Sequence, residues 1–170
     1  MSFTQSLEVG KRAESQAEEY FQKRNWNYLD VRNNRQYQLE DVDYIVEDFG
    51  KVETKVNYHK AIKGRQGNFI WLELLVGNSP GWWHTTRADY FMFFSENRSG
   101  IIIKNDTHFQ NIVNDLIENG DHSSEGNNRI DVIRDMRYFG CVNVVLMRLY
   151  IEDLEETKVS FSRLTTRSEA

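Results

Sequence analysis

The sequence predicts a single α/β domain in which a mixed β-sheet is flanked by helices. A helical apolar stripe opens the chain, short strand-like runs fill its middle, and helical spacing returns before a last apolar run. The 170 residues suffice for one domain with a real core and are too few for two of ordinary size. With 39% hydrophobic and 28% charged residues, the balance is that of a soluble globular chain. The expected core covers about residues 6–104, followed by C-terminal helices and a last strand over about 105–160 and a frayed tail at 161–170.

Residues 6–24 read as an amphipathic helix, because Ala13, Ala17, Tyr20 and Phe21 recur at helical spacing with charge on the other side. Asn25 ends it. A short strand is expected at 27–31, then a polar loop through Gln38. Val42, Tyr44, Ile45 and Val46 form a strand-like run, Glu47-Asp48-Phe49-Gly50 supplies a turn, and 52–56 make a second run. That is a β-hairpin pattern. A basic loop follows to Gly67, then a strong apolar strand at 69–76 and a Gly/Pro/Trp loop at 77–83. Residues 88–94 and 101–103 read as two further strands. Phe109, Ile112, Val113, Leu116 and Ile117 mark a helix, 119–128 a mobile loop, 130–138 another helix and 142–151 the last strand.

The first thirty residues lack an apolar signal core, and no apolar run approaches the ~20 residues that span a bilayer. Cys141 is the only cysteine, which excludes an internal disulfide and a cysteine zinc cluster. A cytoplasmic setting without a membrane partner is expected. The net charge of -5 counts mildly against a nucleic-acid partner. Between residues 51 and 67, however, Lys51, Lys55, Lys60, Lys63 and Arg65 stand against Glu53 alone, and such a patch can hold a phosphate backbone.

Chemistry gathers at the hairpin. Side chains alternate along a strand, so Glu53 and Lys55 share one face while Val52, Thr54 and Val56 take the other. A turn near Asp48 puts Asp43 across from Glu53, provided the register is not slipped. Two carboxylates so placed repel unless a cation lies between them, and magnesium takes one or two carboxylates together with water and phosphate. A lysine beside them can orient a water and offset charge on a phosphorane, a set of parts suited to phosphodiester hydrolysis. Chance also produces acid-x-base triplets. Glu156-Thr157-Lys158 repeats the same three residues after the acidic Glu152, Asp153 and Glu155, with no aspartate on a partner strand upstream.

The stretch resembles the PD-(D/E)xK nuclease superfamily, which includes restriction endonucleases and archaeal-type Holliday junction resolvases. The residues concerned are Gly10-Lys11-Arg12-Ala13-Glu14, Trp26-Asn27-Tyr28-Leu29, Asp43-Tyr44-Ile45-Val46 and Val52-Glu53-Thr54-Lys55. Gly67-Asn68-Phe69-Ile70-Trp71-Leu72-Glu73 and Thr86-Arg87-Ala88-Asp89-Tyr90 are similar to phage-borne members. The resemblance covers about residues 10–94, and Val42 stands where the family carries a proline.

It implies a restriction-endonuclease-like core and a magnesium-dependent DNA endonuclease, with manganese as substitute. Asp43 and Glu53 would bind the metal, Lys55 would position the attacking water, and Glu14 would approach from the helix through a water or Lys55. Branched DNA as substrate, a homodimer and the cytoplasm of a bacterial or phage-infected cell are the further implications. A restriction, repair or recombination nuclease on the same fold is the near alternative, and a nucleic-acid-binding module without catalysis the distant one.

Other residues leave alternatives open. Asp41 shares the strand face of Asp43 and is a reserve ligand. Glu73 either assists the site or pairs with an arginine, and Trp82-Trp83 either stack on unpaired bases or cap a core. Lys60, Lys63 and Arg65 are either phosphate contacts or a solvated loop. His59, His84, His108 and His122 show no metal-ligand spacing.

Overall fold

The computed structural model describes residues 3–56, 58–59, 69–95, 99–119, 130–135, 142–150, 154 and 161–165. Helix α1 (Phe3–Arg24) buries Ala13, Ala17, Tyr20 and Phe21, the four residues of its apolar stripe. Its end follows from local chemistry. Asn25 takes a left-handed φ of 53°, which an asparagine tolerates better than most residues. The Trp26 N–H then donates to the Phe21 carbonyl at 2.9 Å and the Asn25 N–H to Gln22 at 3.1 Å. This is the Schellman arrangement, with Trp26 packed on Phe21 as its accompanying apolar contact.

Two sheets follow. The first holds β1 (Tyr28–Asp30), β2 (Tyr44–Val46), β3 (Gly50–Lys55), β7 (Tyr90–Phe94), β8 (Ser99–Lys104) and β11 (Phe161–Thr165), in the order β1-β2-β3-β7-β8-β11. The β3–β7 pair is parallel and the other pairs are antiparallel, so this sheet is mixed. The second is antiparallel, with β4 (Tyr58–His59), β5 (Phe69–Val76), β10 (Val142–Tyr150) and β9 (Ile130–Asp135) in that spatial order and β6 (Ser79–Pro80) also beside β5. Helices α2 (Arg35–Leu39), α3 (Trp82–Thr85) and α4 (Thr107–Asn119) complete the described elements.

The first sheet is buried on both faces, which explains the unbroken apolar runs of its central strands. Met92, Phe94, Ile102, Tyr44, Val46 and Val52 pack against α1. Phe91, Phe93, Ile101 and Ile103 point the other way, into a core shared with Ile70, Leu72 and Leu74 of β5, Met147 and Leu149 of β10, and Phe109 and Val113 of α4. Among the described residues no helix is long and apolar enough to cross a membrane.

Four expectations need correction. Residues 35–39, expected as loop, form α2, because the Asn34 side chain caps it by accepting from the Gln36 N–H at 3.0 Å. The loop expected at 77–83 contains β6 and the start of α3. Over Ile130–Asp135 the helix expected at 130–138 is instead strand β9, its β-branched residues pairing along β10, and residues 136–138 lie outside the described residues. Phe161–Thr165, expected as the start of a frayed tail, pairs with β8 instead, occupying an edge that would otherwise be open, and residues 166–170 lie outside the described residues.

Candidate active site

The hairpin between β2 and β3 places the first acid opposite the second. Tyr44 pairs with Val52, so the residue before Tyr44, Asp43, stands across from Glu53. The Asp43 N–H donates to the Val52 carbonyl at 3.0 Å, and its own carbonyl accepts from the Val31 N–H at 3.0 Å. The turn depends on left-handed backbone at Asp48 and Gly50, and a Cβ on Gly50 would stand 2.4 Å from Asp89 Oδ2. Only glycine fits there.

Alternation along β3 sends Val52 toward α1 and turns Glu53 and Lys55 toward the second sheet. In the parallel register Glu53 lies beside Phe91 and Lys55 beside Phe93. The acid and the lysine therefore emerge at the margin of an aromatic core. The Glu53 side chain is only 4% exposed, that of Lys55 24%, and the two form an ion pair between Oε1 and Nζ. Asp43 Oδ2 accepts from the Thr54 N–H at 2.9 Å and from Thr54 Oγ1 at 2.5 Å, which fixes its carboxylate beside the pair.

Burial pushes the Glu53 carboxyl up to about 8. The Lys55 ammonium pulls it down, while the negative charges of Asp43 and Asp41 add to the rise. Burial works to lower Lys55, but Glu53, Asp43 and Asp41 outweigh it and hold the ammonium above its usual range. Asp41 therefore bears on the site electrostatically. It has a left-handed φ of 48° instead of extending the strand, and its Oδ2 accepts from Thr85 Oγ1 at 2.5 Å.

Glu14 stands on the other face of the sheet. Its carboxylate accepts from Arg32 Nη1 at 2.6 Å, and Arg32 also binds Glu18 at 2.7 Å and Asp30 at 2.5 Å. The same guanidinium lies 4.9 Å from the Tyr44 ring centre, and the Tyr44 hydroxyl donates to Glu18 at 2.9 Å. Tyr44 packs on the α1 side, so the structure brings Glu14 to Arg32 and not to the Asp43–Glu53–Lys55 group. Arg32 carried no signal in the sequence, since an isolated arginine after a short strand has no periodicity to mark it.

Trp82 and Trp83 are buried and each packs against Phe91, Trp82 edge-on and Trp83 tilted, as a pair that caps a core would. Trp82 nevertheless touches the site, with its ring centre 5.2 Å from Lys55 Nζ. Glu73 Oε1 accepts from the Trp82 N–H at 3.4 Å, tying β5 to the start of α3. His84 and His108 are exposed. Lys60, Lys63, Arg65, His122 and the triplet Glu156-Thr157-Lys158 lie outside the described residues.

Among the described residues no three His, Cys, Asp or Glu side chains gather as a metal cluster. The donor chemistry still fits one small hard cation, because two carboxylates on facing strands offer the oxygen ligands such an ion takes. No protein-family model, no curated protein and no solved structure matches this chain.

Proposed function

We propose that the chain is a metal-dependent endonuclease hydrolysing phosphodiester bonds in DNA, of the type that resolves Holliday junctions, and that it works as a homodimer. The observation that carries the reading is the arrangement of Asp43 across from Glu53, with Lys55 paired to Glu53 on the same face. Asp43 and Glu53 are the residues that would hold magnesium, or manganese in its place, and the bound ion would acidify a water and polarise a phosphoryl oxygen. Lys55 presents an ammonium where negative charge grows on the phosphoryl oxygens. In the reaction the water oxygen bonds to phosphorus, the bond to one ester oxygen breaks, and the departing oxygen gains a proton. The resemblance of residues 10–94 to junction resolvases supplies the DNA substrate and the dimer, because two strands must be cut symmetrically. The basic residues Lys60, Lys63 and Arg65 supply candidate phosphate contacts.

The test is cleavage of linear, flapped and four-way DNA by the purified chain in magnesium, manganese, calcium and chelator. Cleavage in magnesium and manganese is expected, with binding but no cutting in calcium, whose larger shell fits the tight octahedral demand poorly. Full cleavage in chelator would remove the metal from the reading. The closed Glu53–Lys55 ion pair favours a second reading, a DNA-binding module in which the two charges neutralise each other. DNA binding with no cleavage at any magnesium concentration would select it.

A further inference from the structure

The single turn α3 meets the carboxylate–lysine group from the side of the second sheet, and two of its side chains reach it. The Trp82 ring centre lies 5.2 Å from Lys55 Nζ, and Thr85 Oγ1 donates to Asp41 Oδ2 at 2.5 Å. Trp82 is itself held firmly. Its ring packs on Phe91 and Phe93 at 5.6 and 6.2 Å between centres, and these are the residues beside Glu53 and Lys55 in the parallel register. The turn is entered through Gly81, which lies so close to β5 that a Cβ there would stand 2.3 Å from the Glu73 carbonyl oxygen, so no side chain fits.

A lysine has a long flexible stem and a compact charge, and one ion pair leaves its ammonium free to swing. The face of an indole attracts a cation and sheds water, most strongly where solvent is already excluded. Glu53 on one side and the Trp82 face on another confine Lys55 Nζ to the margin of the aromatic core. We propose that Trp82 is a positioning residue for Lys55, its ring holding the ammonium beside Glu53 where a scissile phosphate would come. The catalytic part of this proposal rests on the hydrolase reading above, whereas the hold of Trp82 on Lys55 can be measured without any activity.

Two measurements test it. In protein labelled with 5-fluorotryptophan, the 4 Trp give separate fluorine resonances, and Trp82→Phe identifies the one from Trp82. Lys55→Met should move that resonance while those of Trp26 and Trp71 hold. In cleavage assays Trp82→Met should lower kcat about fivefold with KM unchanged, while Trp82→Phe, which keeps a ring face, should retain most of the rate. A Trp82 resonance unmoved in folded Lys55→Met overturns the proposal, as do equal losses in folded Trp82→Met and Trp82→Phe. Should Trp82→Met not fold, the fluorine shift decides alone. A wild type that never cleaves DNA would sink the hydrolase reading and leave the fluorine result to judge the contact.

Discussion

The first sheet carries an acidic cluster on each face, and the two are built from adjacent residues of one chain segment. Asp43 stands across from Glu53 with its carboxylate held by Thr54, and Glu53 and Lys55 turn toward the second sheet, whereas its neighbour Tyr44 turns toward α1 and lies under Arg32, with Glu14, Glu18 and Asp30 around it. Composition is similar, three or more acids about one base, yet the settings oppose each other. Arg32 offers a forked guanidinium to partly exposed carboxylates, and hydrogen bonding to it holds the Asp30 carboxyl below its ordinary value. Glu53 is buried with a single ammonium against the fields of Asp43 and Asp41, and its carboxyl rises to about 8. A cluster whose charges are satisfied is architecture. A cluster whose buried carboxyl is pushed far from its ordinary range is the better candidate for chemistry.

The largest expected effect separates the two faces by activity. Asp43→Asn, Glu53→Gln and Lys55→Ala should each lower the cleavage rate in magnesium by on the order of 10² to 10³ or more, the size seen when a group stabilising developing charge is removed. Rates are to be compared at saturating DNA, with melting curves showing that each variant is folded. Undiminished cleavage by both Glu53→Gln and Lys55→Ala would move the chemistry elsewhere in the molecule.

The clusters should also respond oppositely to pH. The folded value of Glu53, about 8, lies above its unfolded value near 4.5. Across that window the folded chain keeps a proton that the unfolded chain releases, so Glu53 makes stability fall as pH rises. Asp30 has a folded value below its unfolded 3.8, so its contribution is present above that value and lost as pH falls through the folded one. Solvent screening keeps the Asp30 effect small, its side chain being 38% exposed. Melting temperatures in chelator should therefore decline from pH 5 to pH 8 in the wild type, each kcal/mol amounting to about 2–4 °C for a chain of this size. Glu53→Gln should flatten that decline, and an unchanged slope would show that Glu53 is not the buried acid responsible.

Local pattern made much of this architecture legible. The apolar stripe of α1, the alternation in β3 and the Asp48 turn were enough to place Asp43 opposite Glu53, because hairpin register follows from turn and pleat alone. What could not be read depended on partners distant in sequence. Residues 130–135 carry apolar groups compatible with a helix, and only the edge of β10 makes them a strand. Phe161–Thr165 has no pattern of its own and is ordered by β8, some sixty positions earlier. Trp82 over Lys55 is invisible for the same reason, since nothing between positions 55 and 82 records that α3 folds back on the hairpin. Glu14 shows a different limit: helical spacing put it near the sheet, but only the fold brings Arg32 to its carboxylate.

The smallest effect concerns that glutamate and decides whether the two faces are as separate as their contacts. Glu14→Gln removes one of three carboxylates from Arg32, which keeps Glu18 and Asp30. A partly exposed ion pair is worth about 0–1 kcal/mol, so the melting temperature should fall by at most about 4 °C. High salt should erase much of that difference by screening the exposed charges. Cleavage should stay within a few-fold of wild type, because the lost charge lies across the sheet from Lys55. If Glu14→Gln instead lost activity to the extent of Glu53→Gln while remaining folded, the helix acid would belong to the reacting group. The sheet would then be a conduit between its faces, with the break in Arg32's hold on Glu14 as a step in assembling the site.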